Sequence, residues 1–435
     1  MIHPDDLVEE LRHFLPRQRW FGGKDHPIQK VVPHKMQILR LEWPGLLRVE
    51  IDVFSRDLAE RYQFLLGLRP AGVPSAFLDQ NPDAVMRLFE TEAGPAYGYD
   101  ATRDRELGIE LFKIVMPEAE LPSRVEPIGA EQSNSSLVYD DKLIFKIFRR
   151  LSSDPNPDLE VTQALGRVGF EHVPVPVAVW KDGDIELGLI QPYLRGVDGW
   201  AMALTSLRDL YWQGGDPAEA GGDFAAESQM LGMTVAKMHE AMAEAFGRWP
   251  GDPKGWGEAM ESQLDRIAHP LLDKHRAHEV FHELESLDDP GSSIRVHGDL
   301  HLGQALRTDA GWYLLDFEGE PARPREERRQ ATSPLKDVAG MLRSFHYAAW
   351  SGMAASELKL VEPGQAWEER NRTAFLNGYR EVARRADGLL PQSEVSLELV
   401  LKAFELDRGI YEIGYEMANR PAWVEVPLAA VASLY

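Results

Sequence analysis

Apolar residues recur along this chain with two different periods, and the change from one to the other divides the sequence. Leu7, Val8, Leu11, Phe14 and Leu15, set among Asp5, Asp6, Glu9 and Glu10, follow the three- and four-residue spacing of an amphipathic helix, so residues 1–20 are expected to be helical. Strand-like runs follow at 35–41, 46–54 and 61–66, separated by the turn signals Trp43-Pro44-Gly45 and Ser55-Arg56-Asp57, and continue at 83–90 and 94–99. A second β element occupies 124–150, with strands at 136–139 and 142–148 joined across Asp140-Asp141, a hairpin signal. Asp154-Pro155-Asn156-Pro157-Asp158 then breaks the chain, and Asp158 is expected to cap a helix running from Leu159 to about Val168. Val173-Pro174-Val175-Pro176 closes that stretch, and strands at 178–181 and 186–193 follow. Beyond residue 200 the spacing becomes helical. Met230, Leu231, Met233, Val235 and Met238 mark a helix over 228–246, and others are expected at 255–267, 271–287, 335–355, 366–386 and 395–418. The Gly-rich residues 214–222 read as a mobile surface loop, and no internal repeat is present. The order predicts an α+β fold: a β-rich N-terminal cap at 1–100, a small lobe at 101–199 and a mostly helical lobe at 200–435.

Composition changes this picture little but excludes several functions. At 435 residues the chain is too long for one typical core, which implies two or three packed units. No apolar run reaches the roughly 18 residues needed to span a bilayer, and residues 1–15 lack the basic start and apolar run of a signal peptide. A cytoplasmic location and no membrane partner are therefore expected. The chain has no cysteine, which rules out disulfides and thiolate metal sites. The net charge of −23 argues against nucleic acid or anionic lipid as partners. It also requires any site for an anionic nucleotide to be made locally positive by a few Lys or Arg residues and by Mg²⁺.

The chemistry concentrates in residues 297–320. The segment reads His297-Gly298-Asp299-Leu300-His301-Leu302-Gly303-Gln304, followed by Trp312-Tyr313-Leu314-Leu315-Asp316-Phe317-Glu318. Phosphoryl transfer needs a carboxylate near the acceptor hydroxyl and ligands that hold Mg²⁺ against the phosphates. In a kinase catalytic loop an Asp is followed five positions later by a metal-binding amide, the spacing of Asp299 and Gln304. A hairpin with strands at 304–308 and 312–315 and the turn Asp309-Ala310-Gly311 returns the chain so that Asp316 can face Gln304, giving two oxygen ligands for a hard cation. For the phosphates, Lys146 sits inside the apolar strand 143–148, where an unpaired charge is costly; Glu160 on the next helix is its expected partner. Ser133, Asn134 and Ser135 fall where a loop covers phosphates, although no G-x-G-x-x-G is present. Gln191 and Tyr193 stand where a hinge would meet adenine. Tyr411 and Tyr415 share one helical face, Glu412 and Glu416 form the neighbouring stripe, and Arg420 follows; these suit a sugar, or else are core packing and a solvated face. His301 and Glu318 are further candidates for acceptor contact, and Asp337 and Arg343 either reach the sugar or brace the metal site.

These residues resemble the aminoglycoside-phosphotransferase and kinase-like group, and more closely the actinobacterial maltokinases. The likeness rests on Gln18-Arg19-Trp20-Phe21-Gly22-Gly23-Lys24, Asn156-Pro157-Asp158-Leu159-Glu160, Asp198-Gly199-Trp200 with Ser206-Leu207-Arg208-Asp209, and the His297 loop. It continues through Asp316-Phe317-Glu318-Gly319-Glu320-Pro321, the run from Ser333-Pro334 to Ser344-Phe345, and Tyr411-Glu412-Ile413-Gly414-Tyr415-Glu416 with Asn419-Arg420-Pro421. The resemblance implies a bilobal protein-kinase-like fold beneath an N-terminal cap. It implies Asp299 as the catalytic residue, Gln304 and Asp316 as Mg²⁺ ligands, and Lys146 and Glu160 serving ATP. It also implies phosphorylation of maltose at its anomeric hydroxyl, feeding glycogen and α-glucan synthesis. His346 departs from the pattern, standing where an acidic residue is expected. Kinases of an amino sugar such as glucosamine, or of an aminoglycoside, are the alternative enzymes, and a catalytically dead scaffold is the alternative class. The chain is expected to be a monomer, with docking to another α-glucan enzyme left open.

Overall fold

The computed structural model describes residues 2–22, 27–56, 59–128, 134–220, 222–320, 325–356, 360–386 and 388–435. They form two units: residues 1–159 with 175–194, and residues 160–174 with 195–435.

The first unit opens with α1 (Pro4–Phe14), which buries Leu7, Leu11 and Phe14 from one face. Strands β1 (Lys30–Arg40), β2 (Gly45–Phe54) and β3 (Ala59–Pro70) form a meander. After the short α2 (Ala76–Gln80), β4 (Val85–Phe89) and β5 (Ala96–Asp100) complete the antiparallel order β1-β2-β3-β5-β4. Val49, Ile51 and Val53 alternate along β2 into a core with Phe64, Leu66 and the apolar face of α1. A helix not expected from the sequence, α3 (Arg105–Val115), follows; Asp104 caps it, accepting from Glu106 N–H at 3.0 Å.

The second sheet contains β6 (Val125–Ile128), β7 (Asn134–Tyr139) and β8 (Leu143–Phe148). The two-residue β9 (Arg150–Leu151) crosses back to pair with β3. Helix α4 (Pro157–Arg167) leads to β10 (Ala178–Asp182) and β11 (Ile185–Pro192), giving the order β10-β11-β8-β7-β6. The hairpin at Asp140-Asp141 is present. Both residues have positive φ, 48° and 55°, the conformation that lets a two-residue turn match the twist of its strands.

The cap of α4 is not Asp158. Asn156 Oδ1 accepts from Leu159 N–H at 3.1 Å, and Pro157, which has no N–H to leave unsatisfied, fills the first helical position.

The second unit is mostly helical. It begins with β12 (Val197–Asp198) and α5 (Gly199–Gln213), capped by Asp198, which accepts from Ala201 N–H at 2.8 Å. Then come α6 (Ala225–Phe246), β13 (Arg248–Pro250), α7 (Pro253–Arg266), α8 (Lys274–Glu285) and β14 (Ser292–Ile294). The hairpin β15 (Ala305–Thr308) and β16 (Gly311–Leu314) joins β12 in a small sheet. The chain ends with α9 (Arg325–Arg328), α10 (Leu335–Ala355), α11 (Val361–Ala383), α12 (Glu394–Asn419) and α13 (Glu425–Ser433). Helices α6 and α11 lie backbone against backbone: a Cβ on Gly232 would stand 2.1 Å from Phe375 O, and one on Gly378 would stand 2.0 Å from Gln229 O. That contact fixes α6, whose His239 reaches Asp337 of α10.

Candidate active site

The loop 297–304 is held from behind by a buried carboxylate. Asp337, in the first turn of α10, accepts His297 N–H at 2.7 Å and Gly298 N–H at 2.8 Å, and His239 Nε2 lies 3.1 Å away. Gly298 has φ +86°, a conformation that favours glycine. Burial alone would raise the Asp337 carboxyl; its hydrogen bond from His239 and the donors around it hold it below the ordinary range. The His297 ring packs on Phe317, with centroids 4.6 Å apart, and its Nε2 is 2.9 Å from Leu315 O, tying the loop to the chain after β16.

This frame points the Asp299 carboxylate at Arg408 of α12, whose Nη2 donates at 2.9 Å. Arg408 also binds Glu320 and lies 3.5 Å from Glu412. Burial pushes the Asp299 carboxyl up, but Arg408, then His301, outweigh it, so the group sits below the usual carboxylate range. In turn, burial would lower Arg408, but Glu320, Asp299 and Glu412 raise it above its ordinary value. His301 is lowered, chiefly by burial, and its Nδ1 accepts from Gly303 N–H at 3.0 Å, which leaves Nε2 to carry the proton as a donor. Sequence reasoning missed Arg408. The signal was the stripe Tyr411, Glu412, Tyr415 and Glu416, which extends one turn back to it.

At the ends of the hairpin, Gln304 Nε2 donates to Asp316 Oδ2 at 3.1 Å, and Leu315 N–H to Gln304 O at 2.9 Å. Asp316 has φ +63° and is exposed, and no Lys or Arg among the described residues pairs with it. A carboxylate without a cation beside an amide suits a hard divalent ion such as Mg²⁺, so the donor set fits the expected metal.

A cavity of about 450 Å³ opens beside Asp299, lined by residues of the loop, α10 and α12. Its walls include His301, Ser344, Tyr347, Arg408, Tyr411, Glu412, Tyr415, Glu416, Arg420, Trp423 and Trp200. Arg420 grips Glu416 through two bonds, at 2.6 and 3.0 Å, and lies over the Trp423 ring at 4.8 Å. Tyr347 donates to Glu416 at 3.1 Å; burial, then Glu412, raise its hydroxyl above the ordinary value. Each carboxylate that lines the cavity is thus already bonded to an arginine.

Three expected acceptor contacts are placed differently. Asp337 has both oxygens spent on backbone N–H groups, so it positions the loop and does not face the cavity. Arg343 is buried behind the wall, where its Nε and Nη2 hold Glu412 Oε2 at 2.9 and 2.8 Å. Glu318 does not line the cavity; its carbonyl accepts from Arg328 at 3.3 Å. His346 bonds Glu368 at 2.9 Å and so serves packing between α10 and α11.

In the first unit, Lys146 of the central strand β8 donates to Asp158 at 3.2 Å. Glu160, the partner expected for it, instead takes Arg329 at 2.7 Å and Arg295 at 3.1 Å. Two residues on a helix point about 200° apart, so Asp158 and Glu160 cannot serve the same neighbour equally. Asn134 and Ser135 open β7, and Ser135 Oγ accepts from the buried Arg149 at 2.8 Å; Ser133 lies outside the described residues. Arg149, also missed from the sequence, ties that strand to Asp100 at the end of β5 and to Thr102 in the turn after it, at 2.6 and 2.8 Å. Gln191 is buried within β11, and Tyr193 N–H is spent on Lys142 O at 2.8 Å, so the sheet uses the amide that a hinge would offer to a base.

Comparison with known proteins adds the family. Residues 14–104 match the maltokinase N-terminal cap domain, and residues 124–371, more than half of the chain, match the phosphotransferase enzyme family. A glucosamine kinase of Streptacidiphilus jiangxiensis is 27% identical over 332 residues, 71% of this chain and 72% of that protein. One from Mycolicibacterium smegmatis is 29% identical over 330 residues, 71% and 79% of the two chains. A solved glucosamine kinase in complex with glucosamine, ADP and inorganic phosphate matches with a TM-score of 0.68 at 22% identity, covering 94% of each chain. A second crystal form gives 0.70 over 96% and 97%. At that identity the likeness establishes the fold, a kinase-like one with a β-sheet N-terminal region and a helical C-terminal part.

Proposed function

The chain belongs to the phosphotransferase enzyme family and carries a maltokinase-type cap, and on that premise we propose that it transfers the γ-phosphoryl group of ATP to the anomeric hydroxyl of maltose. The observation that carries the choice of a neutral sugar is the charge balance of the cavity. Asp299, Glu412 and Glu416 are each bonded to Arg408, Arg343 or Arg420, so no unpaired carboxylate waits for an ammonium group. Hydroxyls can share these paired groups, and Tyr411, Tyr415 and Trp423 offer faces for sugar rings.

In this reading Asp299 orients the acceptor hydroxyl and takes its proton as the new P–O bond forms and the bond to the β-phosphate oxygen breaks, releasing ADP. Arg408 keeps Asp299 ionised, and His301 Nε2–H donates to the acceptor. Gln304 and Asp316 would hold Mg²⁺, which when bound neutralises phosphate charge. Lys146, set by Asp158, is assigned to the nucleotide phosphates, with Ser133, Asn134 and Ser135 covering them and Gln191 and Tyr193 near the base. Maltose 1-phosphate would then serve α-glucan synthesis.

A glucosamine acceptor is the second reading, favoured by the names of both curated relatives. A coupled ADP-release assay with maltose, glucosamine and kanamycin separates them, with ³¹P NMR locating the phosphate. Maltose is expected to give the highest kcat/KM and an anomeric phosphate. A tenfold preference for glucosamine moves the assignment to the second reading, and no turnover with any of the three removes both.

A further inference from the structure

Four of the 13 histidines, His269, His275, His278 and His282, fall within residues 269–282. His278 and His282 are four apart on α8 and share a face, with Glu285 one turn on. Facing them on α7 is Glu261. Its Oε1 lies 3.2 Å from His278 Nδ1 and 3.5 Å from His282 Nε2, so two imidazoles converge on one oxygen. His282 Nδ1 is 3.5 Å from Glu285 Oε2. Donor atoms of Glu261, His282 and Glu285 all lie within 4.8 Å of one another.

The spacing fits a small cation. Ligands at about 2.0–2.2 Å from Zn²⁺ in a tetrahedron stand roughly 3.3–3.6 Å apart, close to the separations already present. Glu261 and Glu285 are anchored, their side chains 25% and 21% exposed, while His282 at 67% is free to turn whichever nitrogen the ion needs. His278, 3.2 Å from Glu261, is placed to orient that ligand carboxylate from outside the donor group. A donor set that mixes an imidazole with two carboxylates favours zinc-class transition metals over Mg²⁺ or Ca²⁺, which prefer all-oxygen sites.

We infer that α7 and α8 hold one divalent transition-metal ion, zinc or a close analogue, on Glu261, His282 and Glu285, with His278 bonded to Glu261 beside them. The site is separate from the transfer cavity, since none of these residues lines it. The bound ion adds a cross-link between two helices that already pack on one another.

The test uses the untagged full chain, stripped with chelator and held in excess Mg²⁺ so that Gln304 and Asp316 do not compete. Calorimetric titration with Zn²⁺ is expected to show one ion with Kd at or below about 10 µM and a rise in Tm, and Co²⁺ is expected to give tetrahedral visible bands. The double variant His278→Ala/His282→Ala should lose at least about 100-fold in Zn²⁺ affinity and all of the Tm rise while keeping ATP turnover in Mg²⁺, which also shows that it folds. Zn²⁺ affinity unchanged in the double variant, or binding weaker than about 1 mM in the parent chain, overturns the site.

Discussion

Asp299 is under two opposed influences, and the balance sets its pH behaviour. Burial favours the neutral acid, Arg408 favours the carboxylate, and Arg408 prevails. With a folded pKa below the ordinary value, the contribution of Asp299 to stability is present above its unfolded pKa and is lost as pH falls through the folded one. On the proposed role, its acid limb in kcat/KM therefore lies below the ordinary carboxylate range. In Arg408→Met the largest influence opposing burial is gone, and the limb should climb; a profile that does not move would detach Arg408 from Asp299. Arg408→Lys should not rescue, because a single ammonium cannot span Asp299, Glu320 and Glu412 as a planar fork does. Asp299→Asn keeps the shape and is expected to lower kcat about 10²–10⁴-fold with ATP affinity unchanged, read by steady-state kinetics and calorimetry together. Arg408 could not be read from the sequence beside Asp299 because 109 residues separate them and only the packing of α12 brings them together.

At the level of elements, α10 and the 297–304 loop form one assembly through Asp337. Asp337→Asn would turn an amide N–H toward a backbone N–H, so a loss of about 1–3 kcal/mol in urea unfolding is expected, with kcat falling more than the KM for ATP rises. Unchanged stability would mean that the loop holds its own shape. Most elements were legible because local pattern decides them. The 304–316 hairpin announces itself through its turn, and α6, α7, α8, α10, α11 and α12 through their apolar spacing. Helix α13 was not, because its sequence EVPLAAVAS is nearly uniformly apolar and shows no face. Helix α3 was readable and overlooked: Asp104 caps it, and Leu107, Leu111 and Phe112 carry helical spacing. The α4 cap failed because Asn156 and Asp158 are both good caps, and the need of a strand lysine for a carboxylate claimed Asp158. Which side chains faced the cavity was legible on α12 but not on α10, where Asp337 and Arg343 serve other side chains and the backbone.

Across the whole molecule, 70 acidic side chains stand against 47 basic ones, and the isoelectric point falls near 5.0. Colloidal repulsion vanishes there, so solubility should pass through a minimum near pH 5, visible by light scattering. Asp299 remains ionised at that pH. Activity lost near pH 5 should therefore track turbidity and return on redissolving; a loss in clear solution would assign it to titration of the site. No helix among the described residues is long and apolar enough to cross a membrane. In the proposed reading Asp299, His301, Gln304 and Asp316 lie within residues 297–316, whereas the cavity wall from Tyr411 to Glu416 rides on α12, with Arg420 and Trp423 just past its end and Arg408 linking the two. On the proposed function, a directed-evolution library confined to positions 411, 415, 420 and 423 is expected to exchange one acceptor for another while Asp299, Arg408 and the 297–316 segment stay unaltered.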